Sequence, residues 1–236
     1  MTSRALAILG AFDRGHQALS LSQIARRTGI PPATAHRLLG ELQSWGALRR
    51  DDDSRYRIGL RLWEVGSLAS PLASVRDVAM PYLQRLYEVT REEVHLAVRD
   101  GADAVFVEYL GARRHGTAVG HRGLRRPLGE SAAGLALLAH QGGPALDPDD
   151  RLAEIRRRGL AVLPDPSAPG LRTVAVPVVR EDGTAVAAIG LCVRAPEAVQ
   201  RWWDVLTETA SRMQHALGHT ERMPYDRAVE GSRVGA

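Results

Sequence analysis

The 236-residue sequence contains no lysine, one cysteine and no long apolar run. The single cysteine, Cys192, excludes an internal disulfide framework and fits a reducing compartment. No apolar run approaches the length that spans a bilayer, and the N-terminus lacks the features of an export signal. These absences predict a cytoplasmic protein with no membrane partner. The exclusive use of arginine is explained by a GC-rich genome and is not taken as a phosphate-binding signal.

Signatures of catalysis are also missing. The segment 129–134 (GESAAG) resembles an esterase nucleophile elbow, but the charged residues before it do not suit the buried strand that this motif needs. His215 and His219 are one helical turn apart, yet only Glu221 could join them on a metal. The sequence has no phosphate-binding glycine loop and no dinucleotide fingerprint. We therefore predict no enzyme activity, no catalytic residue, no metal site and no cofactor.

Two amphipathic runs with a short break at Gly29 occupy Leu19 to Trp45. Ser22 stands where the first helix would be capped, and Pro31 or Pro32 suits the first turn of the second. Helices joined so closely cross steeply, as in a helix-turn-helix that places its second helix in the DNA major groove. A helical hairpin buried in a larger domain is the alternative. The candidate DNA-binding residues here are Ser22, Pro32, Ala33, Thr34, His36 and Arg37.

A hairpin is predicted directly after these helices. Ala47 to Arg50 and Arg55 to Ile58 flank the polar turn Asp51 to Ser54, and a hairpin in this place is the wing of a winged helix. The three aspartates at its tip argue that the tip avoids DNA, and a solvated surface hairpin is the alternative. The wing residues that could reach phosphates or a minor groove are Arg49, Arg50, Arg55 and Arg57.

The positive charge is confined to this part of the chain. Residues 1–70 contain ten arginines and six acids, a difference of +4 that equals the net charge of the whole chain. Residues 71–236 are therefore neutral. This excess of positive charge surrounds the predicted helix-turn-helix, where it would be needed to neutralise DNA phosphates.

The remaining segments predict an α+β chain of two domains. Ser3 could cap a first helix that ends near Gly15, and Leu19 to Leu21 could pair as a short strand. Residues 59–70 and 75–90 predict a connecting helix interrupted by Pro71, and its Trp63 and leucines indicate a partner surface. The second domain is predicted to contain two hairpins (94–110 and 173–193), helices at 131–140, 148–159 and 197–219, a short strand at 117–119 and a loop at 121–129. This pattern is typical of an antiparallel sheet with helices.

The ordered segments resemble a known family. SRALAILGAFDRG, LSLSQIARRTGIPPATAHRLLGEL and RYRIGLRLWEVG are similar to the N-terminal half of the isocitrate-lyase-regulator (IclR) type of bacterial transcription factors. HLAVRDGADAVFVE, RRPLGESAAGLALLA, LAEIRRRGLAV and GLRTVAVPVVREDGTAVAAIGL resemble its C-terminal half. The resemblance implies a winged helix-turn-helix domain (1–59), a helical linker (60–74), a GAF-like effector-binding domain (75–220) and a disordered tail (221–236).

The resemblance also implies a function. Such proteins bind (pseudo)palindromic promoter sites as dimers or tetramers, repress or activate transcription, and respond to a small metabolite. A ligand sensor that acts on a protein partner, with its helix-turn-helix used only for assembly, is the alternative.

Two departures from the family pattern affect the sites. Pro32 and Ala33 occupy positions where the family often has a basic and a hydroxyl residue, so base recognition would depend on Thr34, His36 and Arg37. In the pocket, the family's acid, cysteine and two serines fall, in a count without gaps, on Leu163, Thr173, Gly190 and Cys192.

These replacements predict a roomier, less polar pocket for a ligand more apolar than a small 2-oxo acid. A carboxylate of that ligand would bind at the start of the helix at Ser131, Ala132 and Ala133. A degenerate pocket that binds nothing is the alternative.

Overall fold

The computed structural model describes residues 1–68, 70–111, 120–141, 150–165, 169–194 and 196–220. The chain divides into two compact units, Met1–Ala73 and Ser74–Ala236. The strand predicted at 117–119, the start of the helix predicted from Pro148 and the tail predicted from Glu221 lie outside the described residues. No described helix is long and apolar enough to cross a membrane.

The N-terminal unit contains four helices and a two-stranded hairpin. Its elements are α1 (Thr2–Leu9), α2 (Leu21–Thr28), α3 (Pro32–Ser44), β1 (Leu48–Arg50), β2 (Tyr56–Ile58) and α4 (Leu60–Ser67). One apolar core, which includes Ile8, Leu19, Ile24, Leu38 and Leu39, lies between the first three helices and the hairpin. Leu19 pairs with Tyr56 through two backbone hydrogen bonds of 3.0 and 2.8 Å. Of the short strand predicted at Leu19 to Leu21, only Leu19 pairs, because Ser20 caps α2 and Leu21 begins it.

The helix-turn-helix and its wing are confirmed, with corrections at the helix starts. Ser20, not Ser22, caps α2: its Oγ accepts from the Gln23 N–H at 3.3 Å, and the Gln23 side chain accepts from the Ser20 N–H at 2.8 Å. This reciprocal capping box fixes the helix start two residues earlier than predicted. Gly29 ends α2 in the left-handed conformation, with φ of 68°. The first helix begins at Thr2, with Met1 rather than Ser3 at its cap, and ends well before Gly15.

The C-terminal unit contains a six-stranded antiparallel sheet with helices on both faces. Its elements are α5 (Ser70–Thr90), β3 (Glu93–Asp100), β4 (Asp103–Leu110), β5 (Leu124–Pro127), α6 (Ala132–Ala139), α7 (Arg151–Arg158), β6 (Ala161–Pro164), β7 (Arg172–Val179), β8 (Ala185–Val193) and α8 (Pro196–Thr220). The strand order is β5-β4-β3-β8-β7-β6. The two predicted hairpins are β3–β4 and β7–β8, and they meet where β3 pairs with β8.

Two predictions about this unit are wrong, and one strand was missed. Residue 71 lies in the first turn of α5, where proline sacrifices no helical hydrogen bond, so it does not interrupt the helix. The loop predicted at 121–129 contains strand β5, whose Arg125 forms ion pairs with Asp100 and Asp103. Charged residues are tolerated in β5 because it lies at the edge of the sheet. Strand β6 was not predicted at all.

The two faces of this sheet carry side chains of very different size. One face, which we call the aliphatic face, presents Val, Leu and Ile residues such as Val94, Leu96 and Leu191 to a core shared with α5 and α8. The other, the small-residue face, packs beneath α6. Many of the sheet residues on this face have small side chains or none, namely Ala97, Ala161, Ala175, Ala188 and Gly190.

Candidate functional site

The solvent-facing side of α3 includes most of the DNA-binding residues that the sequence predicted. Ala35, Leu38 and Leu39 are buried in the core of the N-terminal unit. Thr34 is half-buried, and the residues that are exposed are Ser22 on α2 and Pro32, Ala33, His36 and Arg37 on α3. The structure therefore leaves this surface accessible to a macromolecule, and contact with DNA stays a prediction.

Arg37 is the charged residue at the centre of that surface. Its guanidinium forms an ion pair with Glu41, one helical turn further on, and one Nη lies 3.2 Å from the sulfur of Met1. An exposed pair of this kind contributes about 0.3–0.5 kcal/mol. The guanidinium can thus leave Glu41 for a phosphate or a base edge at little cost.

The four wing arginines are held by groups of the wing itself. Arg49 and Arg57 are cross-strand partners, and both bind the carboxylate of Asp51. Arg55 pairs with Asp53 at 3.3 Å. Arg50 lies over the Tyr56 ring, 5.5 Å from its centroid. Three of the four side chains are therefore paired with acids of the turn, and the fourth lies against an aromatic ring.

An exposed apolar surface lies beside the wing. No described residue of α4 is buried, and Trp63 and Leu68 are 69% and 78% exposed. Trp45, predicted inside the apolar stripe of α3, instead follows the helix and is half exposed, with Arg61 over its ring. The large exposed apolar residues here, which we call the α4 surface, are Trp45, Ile58, Leu60, Trp63, Val65 and Leu68. Such a patch indicates a protein partner.

The second candidate site lies on the small-residue face, where two rows of side chains cross the sheet. The first row joins Tyr109, His95, Gly190 and Ala175 on four neighbouring strands. The second row joins Glu93, Cys192, Thr173 and Leu163. All four positions obtained by counting along the sequence therefore lie in these two rows.

A cavity of about 20 Å³, room for about one water molecule, lies between these rows and the start of α6. Of the predicted effector-binding residues, Ser131, Ala132, Ala133, Thr173 and Cys192 line it. Sequence reasoning missed several polar lining residues, namely His95, Tyr109, Arg126, Glu130 and Asp165. A ligand larger than water would have to displace part of the lining.

Two predicted pocket residues do not line the cavity. Leu163 packs against the apolar cluster under α6, while its neighbours Pro164 and Asp165 line the cavity. A Cβ on Gly190 would lie 2.3 Å from His95 Nε2, so the imidazole occupies the place of the missing side chain. The expectation of a roomier, less polar pocket than is common in the family stays a prediction. The polar group absent at Gly190 is replaced by one from the adjacent strand.

The sequence did carry a signal for His95. In a strand, alternate residues share a face, and Val94, Leu96 and Val98 supply the aliphatic face. Glu93 and His95 must then face the same side as Cys192, the neighbour that the antiparallel pairing provides. Only the pairing of β3 with β8, which joins the two hairpins, brings these residues together.

Burial keeps three polar groups of the cavity, those of His95, Tyr109 and Cys192, uncharged. It lowers the pKa of His95 to about 4 and raises the pKa of Cys192 to about 12. Burial and the neighbouring Cys192 also raise the pKa of Tyr109. The Tyr109 hydroxyl donates to Glu93 Oε2 at 3.1 Å and lies 3.3 Å from Cys192 Sγ. At neutral pH, the imidazole, thiol and phenol are all neutral.

The other end of the cavity has the features of an anion site. Ser131 is buried, and its Oγ caps α6 by accepting the Gly134 N–H at 3.0 Å. Ala132 and Ala133 follow in the first helical turn, where backbone N–H groups have no intrahelical acceptor. Arg126, half-buried on β5, lines the same cavity. These donors and the helix dipole favour a carboxylate.

The geometry gives no support to an enzyme or a metal site. Ser131 follows a short 3-10 turn and an edge strand instead of a buried central strand, and its oxygen is committed to the helix cap. The described residues contain no cluster of three His, Cys, Asp or Glu that could hold a metal ion. The candidate metal group that includes Glu221 lies partly outside the described residues.

Two family models match the chain and together cover more than half of it. The IclR helix-turn-helix domain matches residues 2–52, and the bacterial transcriptional regulator IclR C-terminal domain matches residues 71–148. The HTH-type transcriptional regulator XynR of Escherichia coli is 26% identical over 92% of this chain and 96% of its own length.

Solved structures show the same two-domain fold. An IclR homologue from Microbacterium hydrocarbonoxydans, in complex with 4-hydroxybenzoate, has a TM-score of 0.83 at 29% identity, over 92% of this chain and 98% of that chain. An IclR homologue from Microbacterium sp. strain HM58-2 is 30% identical over 92% of this chain and 97% of that chain, with a TM-score of 0.53. These proteins are DNA-binding regulators and not enzymes. The chain belongs to the IclR family of bacterial transcriptional regulators.

Proposed function

We propose that this regulator binds (pseudo)palindromic promoter DNA as a dimer or tetramer, and that a small, relatively apolar carboxylate in the C-terminal unit controls its affinity for that DNA. The main observation that supports DNA binding is the surface of α3. Pro32, Ala33, His36 and Arg37 face solvent there, in the same unit as a wing with four arginines. Arg37 is the residue best suited to base recognition, because a guanidinium can donate two hydrogen bonds to guanine O6 and N7.

Self-association is supported by the α4 surface. Two exposed tryptophans and several leucines on the N-terminal unit would be unusual on a monomer. A symmetric dimer formed there would present two recognition helices to half-sites spaced by the DNA helical repeat.

The effector class is supported by the two ends of the cavity. The N–H groups of Ala132 and Ala133 and the nearby Arg126 suit a carboxylate, and Phe106, Tyr109 and His95 provide aromatic surfaces. The relative from Microbacterium hydrocarbonoxydans was crystallised with 4-hydroxybenzoate. We therefore propose a small aromatic carboxylate, with 4-hydroxybenzoate as the first probe.

A physical route from the cavity to the connecting helix is available. Glu108 is fully buried and binds two arginines, Arg76 of α5 and Arg122 beyond β4. The next residue, Tyr109, lines the cavity. A ligand that displaces Tyr109 would therefore also displace the carboxylate that holds α5. Coupling of this kind is reciprocal, so DNA must change ligand affinity by the same factor.

DNA binding is tested with a fluorescent duplex from the region upstream of the gene. Arg37→Ala should weaken specific binding by about 1–3 kcal/mol and relax discrimination at one base pair. The matched control is Arg85→Ala, which removes an exposed arginine of the C-terminal unit and should leave DNA affinity unchanged. Equal affinity of wild type and Arg37→Ala for this duplex, with equal base preference, would contradict the proposed contact.

The salt dependence of binding separates this function from a sensor that acts only on a protein partner. Affinity that falls steeply between 50 and 200 mM salt indicates phosphate contacts. Affinity that does not respond to salt would support the protein-partner alternative.

The effector is tested by a thermal-shift screen of aromatic and aliphatic carboxylates, followed by DNA binding with each hit. Thr173→Phe should fill the cavity and abolish the response, yet leave the DNA affinity of the free protein unchanged. A full response in this variant would place the effector elsewhere.

A further inference from the structure

His95 has an unmet hydrogen-bonding requirement inside the cavity. The residue is 1% exposed, and its Nδ1 is buried without a hydrogen-bond partner among the described residues. An unsatisfied buried nitrogen costs about 1–3 kcal/mol, so such groups in native proteins have a reason to persist.

The imidazole is held in a fixed orientation by its neighbours. It stacks on the Tyr109 ring with centroids 6.0 Å apart and an interplanar angle of 18°, and the Phe106 ring lies 5.3 Å away. Its Nε2 edge lies over Gly190, where any Cβ would overlap it. A polar ring placed this rigidly at the wall of a cavity is prepared to bind a partner in one geometry.

The surroundings of His95 disfavour an anion. Two acids, Glu93 and Asp165, and one arginine, Arg126, lie near Cys192, so the acids are in excess there. Both acids are at least nine-tenths buried, and Glu93 accepts a hydrogen bond from the Tyr109 hydroxyl. A carboxylate of the ligand would meet these acids at this end and the N–H groups of α6 at the other. The cavity is therefore electrostatically asymmetric, with an anion end at Ala132 and Ala133 and a neutral polar end at His95.

We propose that His95 is a specificity-determining residue, which selects effectors that carry an uncharged hydrogen-bonding group opposite their carboxylate. This inference rests on the proposed function of the cavity as the effector site and names the chemistry of its second end. A neutral imidazole both donates and accepts, so a hydroxyl or amine fits it. A methyl group leaves it unsatisfied, and a second carboxylate is repelled by Glu93 and Asp165.

The test is a calorimetric titration of the full-length protein with three probes of similar shape: 4-hydroxybenzoate, 4-methylbenzoate and benzene-1,4-dicarboxylate. The wild-type protein should bind the hydroxyl probe about tenfold or more tightly than the methyl probe, because only the hydroxyl satisfies the imidazole. Binding of the dicarboxylate should be the weakest of the three.

His95→Phe keeps a planar ring of similar size and removes both nitrogens. This variant should bind the hydroxyl probe and the methyl probe with about equal affinity. His95→Gln keeps a donor and an acceptor and should restore part of the preference, which a purely space-filling residue would not. His140→Phe is the matched control, because His140 is a half-buried histidine that does not line the cavity. It should leave the preference unchanged.

The outcomes separate the two claims. An unchanged hydroxyl-to-methyl ratio in His95→Phe overturns the role of His95, while the cavity stands as the effector site. Failure of all three probes to bind wild-type protein overturns the proposed effector class together with this inference. Should the variants not fold, the ring nitrogens of His95 can be followed by NMR in the wild type. A shift with the hydroxyl probe but not the methyl probe supports the proposal, and equal shifts overturn it.

Discussion

The two faces of the six-stranded sheet use the same strands for different purposes. The aliphatic face contributes large, fully buried side chains such as Leu96, Ile189 and Leu191 to a core with two long helices. The small-residue face contributes Ala97, Ala188 and Gly190, and the space that these residues leave holds α6, His95 and a cavity.

In the proposed function, one face of the sheet supplies stability and the other supplies ligand recognition. Burial of large aliphatic groups is the main source of folding free energy, and it is concentrated on the face away from the cavity. The small residues place the backbone of α6, with its polar first turn, close to the sheet. We therefore expect substitutions on the aliphatic face to change stability, and substitutions around the cavity to change ligand selection.

The largest effect is expected on the aliphatic face. Leu191→Ala should lower the free energy of unfolding by about 2–5 kcal/mol, because it deletes a fully buried side chain and leaves a cavity. Ala188→Gly, three residues earlier on the other face, should cost only about 0.5–1 kcal/mol. Denaturant unfolding of both variants measures the difference. Equal costs would contradict the division of roles.

A pH effect should arise on the small-residue face. Since the pKa of His95 is about 4 in the folded protein and about 6.5 unfolded, the unfolded state binds more protons between these values. The neutral ring of His95 therefore makes its full contribution to the free energy of unfolding above pH 6.5. As the pH falls towards 4, the folded protein loses roughly 3 kcal/mol of that stability.

The comparison of wild type with His95→Phe isolates this effect from the other titrating groups. Chemical denaturation at pH 7 and pH 4.5 should show a stability difference between the two proteins that changes with pH. A pH-independent difference would mean that folding does not lower the pKa of His95.

An intermediate effect is expected from adding bulk beneath α6. Ala188→Leu should destabilise the protein by about 1–3 kcal/mol, because close-packed groups must move to admit the side chain. The control is Ala185→Leu on the same strand, at a half-buried position. Should both variants unfold at the wild-type denaturant concentration, the packing of α6 on this face would be looser than described.

The smallest effect is expected at the start of α6. Ser131→Ala removes the hydroxyl that accepts the Gly134 N–H and should cost about 1 kcal/mol, whereas Ser131→Gly should cost a few tenths. Thermal unfolding distinguishes the two. An equal cost would show that the hydroxyl does not stabilise the helix as a cap.

The DNA-binding unit could be predicted because its signals are local. The helical period of residues 21–45, the glycine after α2 and the polar turn of the wing each specify structure within a few residues. The errors concern helix ends, such as the cap of α2, for which Ser20 and Ser22 compete, and the early end of α1 at Leu9. The bases that Arg37 would contact could not be predicted, because neighbouring residues in the sequence do not specify them.

The cavity could be predicted only in part because it depends on long-range pairing. The alternation of residues with period two predicted the strands β7 and β8. The serine before a run of small residues predicted the N-cap of α6. The gap-free count placed Leu163 at the cavity, whereas the chain brings Pro164 and Asp165 there. His95 was missed because its role arises from Gly190, a residue almost one hundred positions away that lies beside it only in the folded sheet.

The carboxylate of Asp51, held between Arg49 and Arg57, has a consequence for how the protein searches a genome. Three of the four wing arginines, Arg49, Arg55 and Arg57, already carry a counter-charge within the molecule. If the wing binds DNA as proposed, a random phosphate would have to compete with these acids, whereas a site that also engages Arg37 would supply additional binding energy. Asp51 would then shorten the residence time on a wrong sequence more than on the right one.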